Sequence, residues 1–375
     1  MRASIHSIVL KLASHCNLNC SYCYVYNHED HGFQSRPNFL SDAVLEALLQ
    51  RMRDYSAARE DHAWTVGFHG GEPTLVGMDR MRRIIARARE VLGEKLEAVS
   101  LQTNATLIDG AWARALLDDR VAVSVSLDGD AAAHDAFRID HKGRGSYTDT
   151  VRGIRALQDA GHDLNVLCVL NPWSSGRGAY HHIRSLNVKR MDFLFPDVSH
   201  DNRAALYGML PPLPVARYMN GVFDAWLEED DPRVTVRFFR DLLQRLLGSR
   251  GVTDTFSSGR SGYVIVETDG EIEANDALRV CADGIARSSV NVVTHGFDDL
   301  AQGRPLVHQA VTEGFPLPQG CRSCPERDLC GGGYLPHRYS KARGFDNPSV
   351  WCADLLDIFS HVRTRLALHD AALAS

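Results

Sequence analysis

The sequence predicts an α/β fold in which alternating strands and helices form a partial (β/α)6 TIM-like barrel, followed by a smaller C-terminal domain. Six short segments with strand character alternate with segments of helical periodicity up to about residue 195. The pattern changes at a proline-rich stretch, residues 211–214. Seven of the nine cysteines fall into two spaced groups, one near each end of the chain. Clustered thiols of this kind indicate metal or redox chemistry.

Composition narrows the possible classes of protein. The 375 residues are 44% hydrophobic and 23% charged, which is typical of a globular chain with an ample core. A formal charge of -6 argues against a nucleic-acid partner. The sequence has no run of 18 apolar residues, so we expect no membrane span. Lys11 interrupts the apolar start, which therefore predicts a first strand, not a signal peptide, and a cytoplasmic location.

The predicted elements follow one another as βα units. In chain order, the predicted strands cover residues 5–13, 64–68, 98–103, 121–127, 164–170 and 189–195. The predicted helices between them begin after the cap residue Ser41 and at residues 78–92, 111–117 and 148–160. Right-handed crossovers curl such a parallel sheet into a barrel, whose chemistry collects at the carboxyl ends of its strands. Unusual residues follow several of these ends: a cysteine loop, Gly70–Pro73, Asn104 and Asp128.

Three regions are predicted from these patterns. Residues 1–210 form the barrel, and residues 211–255 form a helical linker region with helices at 215–227 and 236–246. Residues 256–375 form a cysteine-bearing domain with a hairpin at Asp269-Gly270 and a C-terminal helix.

The first cysteine group has the spacing C-x3-C-x2-C, formed by Cys16, Cys20 and Cys23. Three closely spaced thiolates can hold three corners of a [4Fe-4S] cluster and leave the fourth iron open to a substrate. A structural zinc site or free core thiols are the alternatives, although zinc favours paired C-x2-C spacings and four ligands.

The second group is formed by Cys321, Cys324, Cys330 and Cys352. Four thiolates complete a closed [4Fe-4S] site, and the same four are also suited to structural zinc. Cys168 and Cys281 stand alone and are predicted to be packed thiols.

With Tyr22 before its last cysteine, the first group resembles the motif of the radical S-adenosylmethionine (SAM) superfamily. This resemblance implies that the open iron binds SAM and that one electron cleaves SAM to a 5′-deoxyadenosyl radical. The cofactor supplies the difficult chemistry, while the protein aims and shields it. The resemblance also implies contacts with SAM at positions that match the family. They are Tyr22 near adenine, Gly70, Gly71, Glu72 and Pro73 around the amino group, Asn104 on the ribose side, and Ser126 and Arg138 as further SAM contacts. Without the cysteine motif, Gly70-Gly71 would indicate a plain turn and Arg138 a surface ion pair.

The second group resembles the SPASM domain, a C-terminal extension of many peptide-modifying radical SAM enzymes. A full SPASM domain holds two auxiliary clusters, whereas here Asn275 and Tyr334 stand where the family has cysteines. The resemblance therefore implies one auxiliary [4Fe-4S] cluster. It also aligns Asp276 with the aspartate that removes a substrate proton in sulfatase maturases. On its own, Asp276 would more simply be a turn or cap residue.

Several short runs resemble the FxsB-like maturases, which form three-residue cyclophanes in ribosomally made peptides. They are Tyr24-Val25-Tyr26-Asn27, residues 267–270, residues 330–340 and residues 344–352. The resemblance implies a precursor peptide as substrate and a bond between a β-carbon and an aromatic ring two residues earlier, with the auxiliary cluster accepting an electron. Sulfatase-maturase-like oxidation, epimerisation, thioether formation and a non-catalytic zinc module are the alternatives. About fifteen residues precede Cys16, which we expect to leave no room for a fused leader-recognition domain. The peptide would then be held by the barrel, by the C-terminal domain or by a separate leader-binding protein, and an external donor would supply electrons.

Overall fold

A computed structural model describes residues 5–249, 254–256 and 261–373. Its strands are β1 (Ser7–Ala13), β2 (Trp64–Gly70), β3 (Leu96–Thr103), β4 (Val121–Ser126), β5 (Asn165–Val169), β6 (Arg190–Leu194), β7 (Thr235–Val236), β8 (Tyr263–Val266), β9 (Glu271–Glu273) and β10 (Arg287–Asn291). Its helices are α1 (Asp42–Ala57), α2 (Met78–Leu92), α3 (Gly110–Asp118), α4 (Ala131–Asp135), α5 (Tyr147–Asp159), α6 (Gly176–Ser185), α7 (Arg203–Tyr207), α8 (Pro214–Glu229), α9 (Arg237–Leu246), α10 (Pro305–His308), α11 (Arg327–Cys330) and α12 (Cys352–Leu373).

Local sequence signals account for most of these elements. All six predicted strands are present within about two residues of their expected ends, and α2 has its predicted bounds. Ser41 caps α1 as expected, because its hydroxyl accepts a hydrogen bond of 3.2 Å from the Val44 amide. Strands β7 and β10 and helix α6 were not predicted. Strand β10 is rich in polar residues, so its own sequence gives little strand signal.

The chain forms two compact units, each built from several stretches of sequence. The first contains residues 1–126, 137–164 and 259–315, and the second contains residues 127–136, 165–258 and 316–375. The strands of the first unit lie in the order β10-β9-β8-β1-β2-β3-β4. The four strands β1 to β4 run parallel to their neighbours, as expected for βα units.

The β8–β9 hairpin extends the sheet of the first unit. It is antiparallel as predicted, and its turn is closed by a 2.8 Å hydrogen bond from the Gly270 amide to the Glu267 carbonyl. Strand β8 pairs in parallel with β1, so the hairpin lies beside the first strand. The resemblance to the SPASM domain also predicts cysteines around residues 257–262, where the sequence has none. Residues 257–260 lie outside the described residues.

The second unit contains the parallel strands β5, β6 and β7. Helices α8 and α9 confirm the two helices predicted around residues 211–255, and α12 is the predicted C-terminal helix. The Asp354 carboxylate of α12 accepts hydrogen bonds of 2.9 Å from the amides of Val215 and Ala216. It thereby satisfies backbone donors at the start of α8 that no helix can satisfy internally.

Apolar side chains fill the interior of each unit, as the alternating pattern predicts. In β1, for example, Ile8, Leu10 and Leu12 are fully buried. Lys11, between the last two, is also buried, with only 3% of its surface exposed. A buried lysine is rare without a charged partner, so its surroundings indicate a functional site. None of the described helices has the length and apolarity required to cross a membrane.

Candidate active site and auxiliary cysteine site

The two glycines at the end of β2, Gly70 and Gly71, allow the chain to pass directly against the end of β1. Gly70 has a φ of +147°, and a Cβ atom there would lie 2.3 Å from the Ala13 carbonyl oxygen. At Gly71 a Cβ atom would lie 2.1 Å from the His15 carbonyl oxygen. The amides of Gly71 and Glu72 instead donate hydrogen bonds to the Ala13 and His15 carbonyls, at 2.9 and 3.0 Å. The Gly-Gly pair is therefore required to hold the start of the cysteine loop.

Glu72 is a buried carboxylate that joins the ends of β2 and β3. Its Oε1 atom accepts hydrogen bonds from the Thr74 and Thr103 hydroxyls, both at 2.7 Å, and its Oε2 atom accepts one of 2.8 Å from the Asn104 amide. Burial raises the pKa of Glu72, and these donors lower it. Pro73 begins the short turn that follows, with Glu72 as its cap. Glu72 thus fixes the strand ends around the cysteine loop.

The cysteine loop lies against the end of β3. The Cys23 amide donates a 2.9 Å hydrogen bond to the Cys20 carbonyl, which turns the loop back on itself. The Asn104 side chain donates to Asn17 at 2.9 Å and lies 3.7 Å from the Cys16 sulfur. Burial raises the pKa of the Cys16 thiol, and the nearby charges of Glu72, Cys20 and Cys23 raise it further. Cys20 is buried, and Cys16 and Cys23 are half-buried in the same loop. Three thiols in one partly buried loop suit the corners of an iron–sulfur cluster.

Tyr22 and Arg138 lie together on the same side of this loop. The Arg138 guanidinium lies 5.5 Å from the centre of the Tyr22 ring, a cation–π arrangement. Arg138 is buried, with 9% of its surface exposed. At the end of β4, the Ser126 hydroxyl accepts a 2.9 Å hydrogen bond from Gln102. Arg138 is therefore held inside the first unit and is not the exposed ion-pair residue that a plain surface position would give.

Asp276 lies directly after the β8–β9 hairpin, in contact with the middle of β1. Its Oδ2 atom is 2.5 Å from the Lys11 ammonium and accepts a 3.1 Å hydrogen bond from the Tyr24 hydroxyl. Burial raises the pKa of Asp276, but the charge of Lys11 and its hydrogen bond outweigh burial and lower the pKa to about 2. The carboxylate is consequently ionised at neutral pH while 15% of its side chain remains exposed.

His69 completes this polar cluster from the neighbouring strand. Lys11 and His69 are register partners across β1 and β2, and Lys11 Nζ lies 3.2 Å from His69 Nδ1. Burial and the Lys11 charge lower the pKa of His69 to about 4, so the imidazole is neutral at neutral pH. Neutral Nδ1 can then accept a hydrogen bond from the ammonium, which leaves Lys11 bridging His69 and Asp276.

A buried ionic network fixes the hairpin that carries Asp276. Arg279 donates to Glu267 at 2.7 Å and to Glu273 at 2.6 Å, and Arg36 contacts the same two carboxylates at 2.8 and 2.5 Å. All four side chains are at most 6% exposed. Removing one member of such a network leaves an uncompensated buried charge, which costs about 3–5 kcal/mol. The network therefore anchors the hairpin rigidly next to β1.

The second cysteine group comes together in the second unit. Cys321, Cys324, Cys330 and Cys352 line one cavity, together with Gly332 and Ser349. Burial raises the pKa of Cys330 to about 12, although a hydrogen bond from the Gly332 amide lowers it. Within the described part of the chain, no three His, Cys, Asp or Glu side chains are arranged to share a single metal ion. Four sulfur donors around one cavity match the donor set of a [4Fe-4S] cluster.

Comparison with known proteins identifies the family. The family model for the Radical SAM superfamily matches residues 10–173. The cysteine-type anaerobic sulfatase-maturating enzyme of Clostridium novyi is 30% identical over 391 residues, which covers 99% of this chain and 98% of the relative. This chain belongs to the radical SAM superfamily. It is therefore a radical SAM enzyme, which binds SAM and a [4Fe-4S] cluster.

Other similar proteins agree with this assignment. The serine-type anaerobic sulfatase-maturating enzyme of Klebsiella pneumoniae is 26% identical over 88% of this chain and 82% of the relative. The structure titled "Native anSMEcpe with bound AdoMet" matches this radical SAM enzyme with a TM-score of 0.84 at 24% identity, covering 98% and 99% of the two chains. Streptococcus suis SuiB bound to its precursor peptide SuiA matches with a TM-score of 0.63 at 14% identity, covering 93% and 76%. These likenesses confirm the predicted fold class, an α/β partial barrel with a SPASM-like C-terminal domain.

The geometry of this radical SAM enzyme brings together most residues that the sequence singled out. Cys16, Asn104 and Glu72 share one hydrogen-bonded end of the first unit, and Asp276 lies against β1. Sequence reasoning missed the roles of Lys11 and His69. A signal was available at Lys11. A charged residue inside an apolar strand either lies on an exposed edge or is buried against a polar partner. Nothing local distinguished His69 from an ordinary strand residue.

Proposed function

We propose that this enzyme oxidises a ribosomally made precursor peptide by joining a β-carbon to an aromatic ring two residues earlier. The observation that carries the proposal is the ionised Asp276 carboxylate, held by Lys11 and Tyr24 and still partly exposed. Radical coupling to a ring leaves one proton and one electron to be removed before aromaticity returns. A fixed carboxylate that stays ionised at neutral pH is suited to take that proton.

Cys16, Cys20 and Cys23 would hold the SAM-binding cluster, and Cys321, Cys324, Cys330 and Cys352 would hold one auxiliary cluster. When bound, these groups supply the reductive cleavage of SAM, the 5′-deoxyadenosyl radical that takes a β-hydrogen, and an acceptor for the remaining electron. An external donor supplies the first electron. The position of the three N-terminal thiols in one partly buried loop and the shared cavity of the other four support this assignment.

The chain's own residues would orient SAM. The backbone at Gly70-Gly71 and the carboxylate of Glu72 are suited to its amino group, because Glu72 Oε2 accepts only one hydrogen bond from the described residues. The Arg138 guanidinium is suited to the SAM carboxylate, and the Tyr22 ring to adenine. Asn104 already holds the cysteine loop through Asn17, so its ribose contact would be an additional role.

Asp276, Lys11 and His69 would manage the proton. Lys11 holds Asp276 in its ionised form and fixes its Oδ2 atom, while Tyr24 donates to the same oxygen. After Asp276 takes a proton, its attraction to Lys11 weakens. His69 Nδ1, 3.2 Å from the ammonium, remains as the second acceptor that keeps Lys11 in place. The site thus stays ordered in both protonation states.

A peptide substrate is supported by the similar structures that contain one. Similar solved structures include anSMEcpe with a bound Cp18Cys peptide and SuiB bound to the precursor peptide SuiA. We propose that a separate protein recognises the leader of the precursor. We also propose a cytoplasmic location, where reducing conditions keep the cysteines free to bind iron.

Sulfatase-maturase-like oxidation is the second candidate function. Relatives named for that activity match nearly the full length of this chain, at 25 to 30% identity. Oxidation of a cysteine or serine β-carbon also requires loss of one proton, and Asp276 would serve it equally. The two functions therefore share the site and differ in the atom that receives the β-carbon radical.

Mass spectrometry of reacted peptides tests the choice. The substrates are synthetic peptides with an aromatic residue two positions before each candidate partner, and matched peptides with cysteine or serine in place of the partner. A cross-linked product has lost two hydrogens in mass and does not react with hydrazide. In its fragmentation spectra the two cross-linked residues stay joined. A labelled carbonyl product from cysteine or serine instead would replace the cross-linking proposal with the second candidate. An unchanged mass with inverted stereochemistry would identify an epimerase.

A further inference from the structure

Arg338 is a buried cation in the second unit whose guanidinium contacts no carboxylate among the described residues. It is 3% exposed, and its Nε and Nη2 atoms donate to the carbonyl oxygens of Phe345 and Pro316 at 2.8 to 3.1 Å. Among the described residues, no carboxylate lies within 4.0 Å of its guanidinium nitrogens. The buried Arg36 and Arg279, in contrast, each contact two or more carboxylates. A buried charge without a counter-charge is costly, so Arg338 requires a source of negative potential.

The auxiliary cysteines are that source. Gly332 lines the same cavity as the four cysteines, and its amide donates to the Cys330 thiol. A Cβ atom at Gly332 would lie 3.7 Å from Arg338 Nη1, the one guanidinium nitrogen that bonds none of the carbonyls. Burial lowers the pKa of Arg338, and the charges of Cys321, Asp346 and Cys330 offset part of this effect. Asp346 is itself engaged by the Gln319 amide and by Arg343. Nη1 therefore lies close to Gly332, a residue that lines the cysteine cavity.

A fixed cation at this position changes the energetics of reduction. A [4Fe-4S] cluster with four thiolate ligands is already anionic, and it gains one further negative charge when it accepts an electron. A nearby positive charge stabilises the reduced form more than the oxidised form, and the protein interior screens this effect far less than water does. Arg338 keeps its charge under all these conditions, because a guanidinium is not deprotonated in proteins.

We propose that Arg338 raises the reduction potential of the auxiliary [4Fe-4S] cluster and so makes that cluster the better electron acceptor. Arg338 is a tuning residue that acts through the cluster, not a catalytic residue. The inference goes beyond the proposed function: it rests on the four auxiliary cysteines as cluster ligands, and it is independent of which peptide product is formed.

The test uses the full-length chain with Cys16, Cys20 and Cys23 changed to Ala, so that only the auxiliary cluster is loaded. Its midpoint potential is measured by redox titration, followed by the EPR signal of the reduced cluster. Arg338→Met should lower the equilibrium constant for reduction at least tenfold, and tenfold corresponds to 59 mV for a one-electron couple. Arg338→Lys keeps the charge and should recover most of the potential. Arg327→Met is the matched control, because Arg327 lines the same cavity but is half exposed and screened by water. Its loss should change the equilibrium constant for reduction less than twofold.

A merely structural Arg338 gives a different pattern. It would lower iron content and melting temperature equally in the Met and Lys variants and leave the potential of the loaded fraction unchanged, which would overturn the proposal. Should Arg338→Met fail to retain iron, Arg338→Gln removes the charge, keeps a donor and gives the same comparison. Failure of the parent triple-alanine protein to load any cluster would refute the ligand set itself, and the proposed tuning with it.

Discussion

Lys11 Nζ and Asp276 Oδ2 lie 2.5 Å apart although 265 residues separate them in the chain. The contact joins the middle of the first strand to the turn after the β8–β9 hairpin. Both partners are largely buried, so the pair is screened little by solvent and holds the carboxylate ionised. This single relationship gives an aspartate of ordinary sequence context a fixed position and an ionised form, which the proposed role as proton acceptor requires.

Asp276→Asn should reduce formation of modified peptide about 10²- to 10⁴-fold while SAM cleavage falls far less. The amide preserves the shape of the side chain but cannot accept a proton. A loss of this size is usual when a general base is removed. The measurement is the ratio of modified peptide to 5′-deoxyadenosine. Tyr24→Phe is the companion variant, since it removes one donor to Asp276 and leaves the base in place. Tyr24→Phe should lower formation of modified peptide about tenfold or less. If Asp276→Asn lowered product formation and SAM cleavage equally, Asp276 would have only a structural role.

Lys11→Met should make product formation sensitive to acid. Burial then acts on Asp276 without its main counter-charge, so its pKa rises from about 2. As pH falls from about 8 to 6, a growing fraction of Asp276 becomes protonated and unable to accept a proton. His69, Tyr24 and the more distant Arg279 still face the carboxylate, and only the last carries a fixed positive charge. The wild-type ratio of product to 5′-deoxyadenosine should stay flat over this range; parallel profiles for the two proteins would rule out this role for Lys11.

Cys324→Ala should separate the two cysteine sites. Loss of an auxiliary ligand removes the proposed electron acceptor but leaves the N-terminal thiols intact, so some SAM cleavage should persist while product is blocked. Iron content, 5′-deoxyadenosine and peptide mass are measured on the same sample. Cys168→Ala is the control, because Cys168 is a buried lone thiol outside both groups. Full product from Cys324→Ala would refute the electron-acceptor role.

Gly71→Ala should disrupt the cysteine loop. The added Cβ atom would lie 2.1 Å from both the His15 carbonyl and the Tyr26 hydroxyl, so backbone must move. Overpacking of this kind costs about 3 kcal/mol, and here the displaced backbone leads directly into Cys16. We expect reduced iron at the N-terminal site and loss of SAM cleavage. In Gly110→Ala the nearest atom to the new Cβ is the flexible end of Arg114, at 3.4 Å, and iron content should not change. Normal iron and SAM cleavage in Gly71→Ala would contradict this explanation of the Gly-Gly pair.

Local pattern was sufficient for much of the fold. The strand and helix periods from Ser7 to Leu194 are short-range signals, and the glycine turn of the hairpin at Gly270 is another. The cysteine spacings likewise lie within a few residues of sequence. These features could be predicted because each depends on neighbours along the chain.

The polar partners could not be predicted in the same way. The contacts of Lys11 with Asp276, of Arg36 with Glu273 and of Arg338 with Pro316 all depend on which distant segments pack together. Each compact unit is assembled from several separated stretches, so chain order alone does not reveal these neighbours. The sequence shows a lysine, Lys11, inside an apolar strand. This indicates that a buried partner exists, but it does not show which residue the partner is.

The central claim is that Cys16, Cys20 and Cys23 hold a cluster with one iron open to SAM. The direct measurement is the EPR spectrum of the reduced full-length chain in which Cys321, Cys324 and Cys330 are changed to Ala, recorded with and without SAM. SAM should shift the signal of the remaining cluster, and 5′-deoxyadenosine should form under reductant. A fully loaded cluster whose spectrum ignores SAM, with no 5′-deoxyadenosine, would contradict the account.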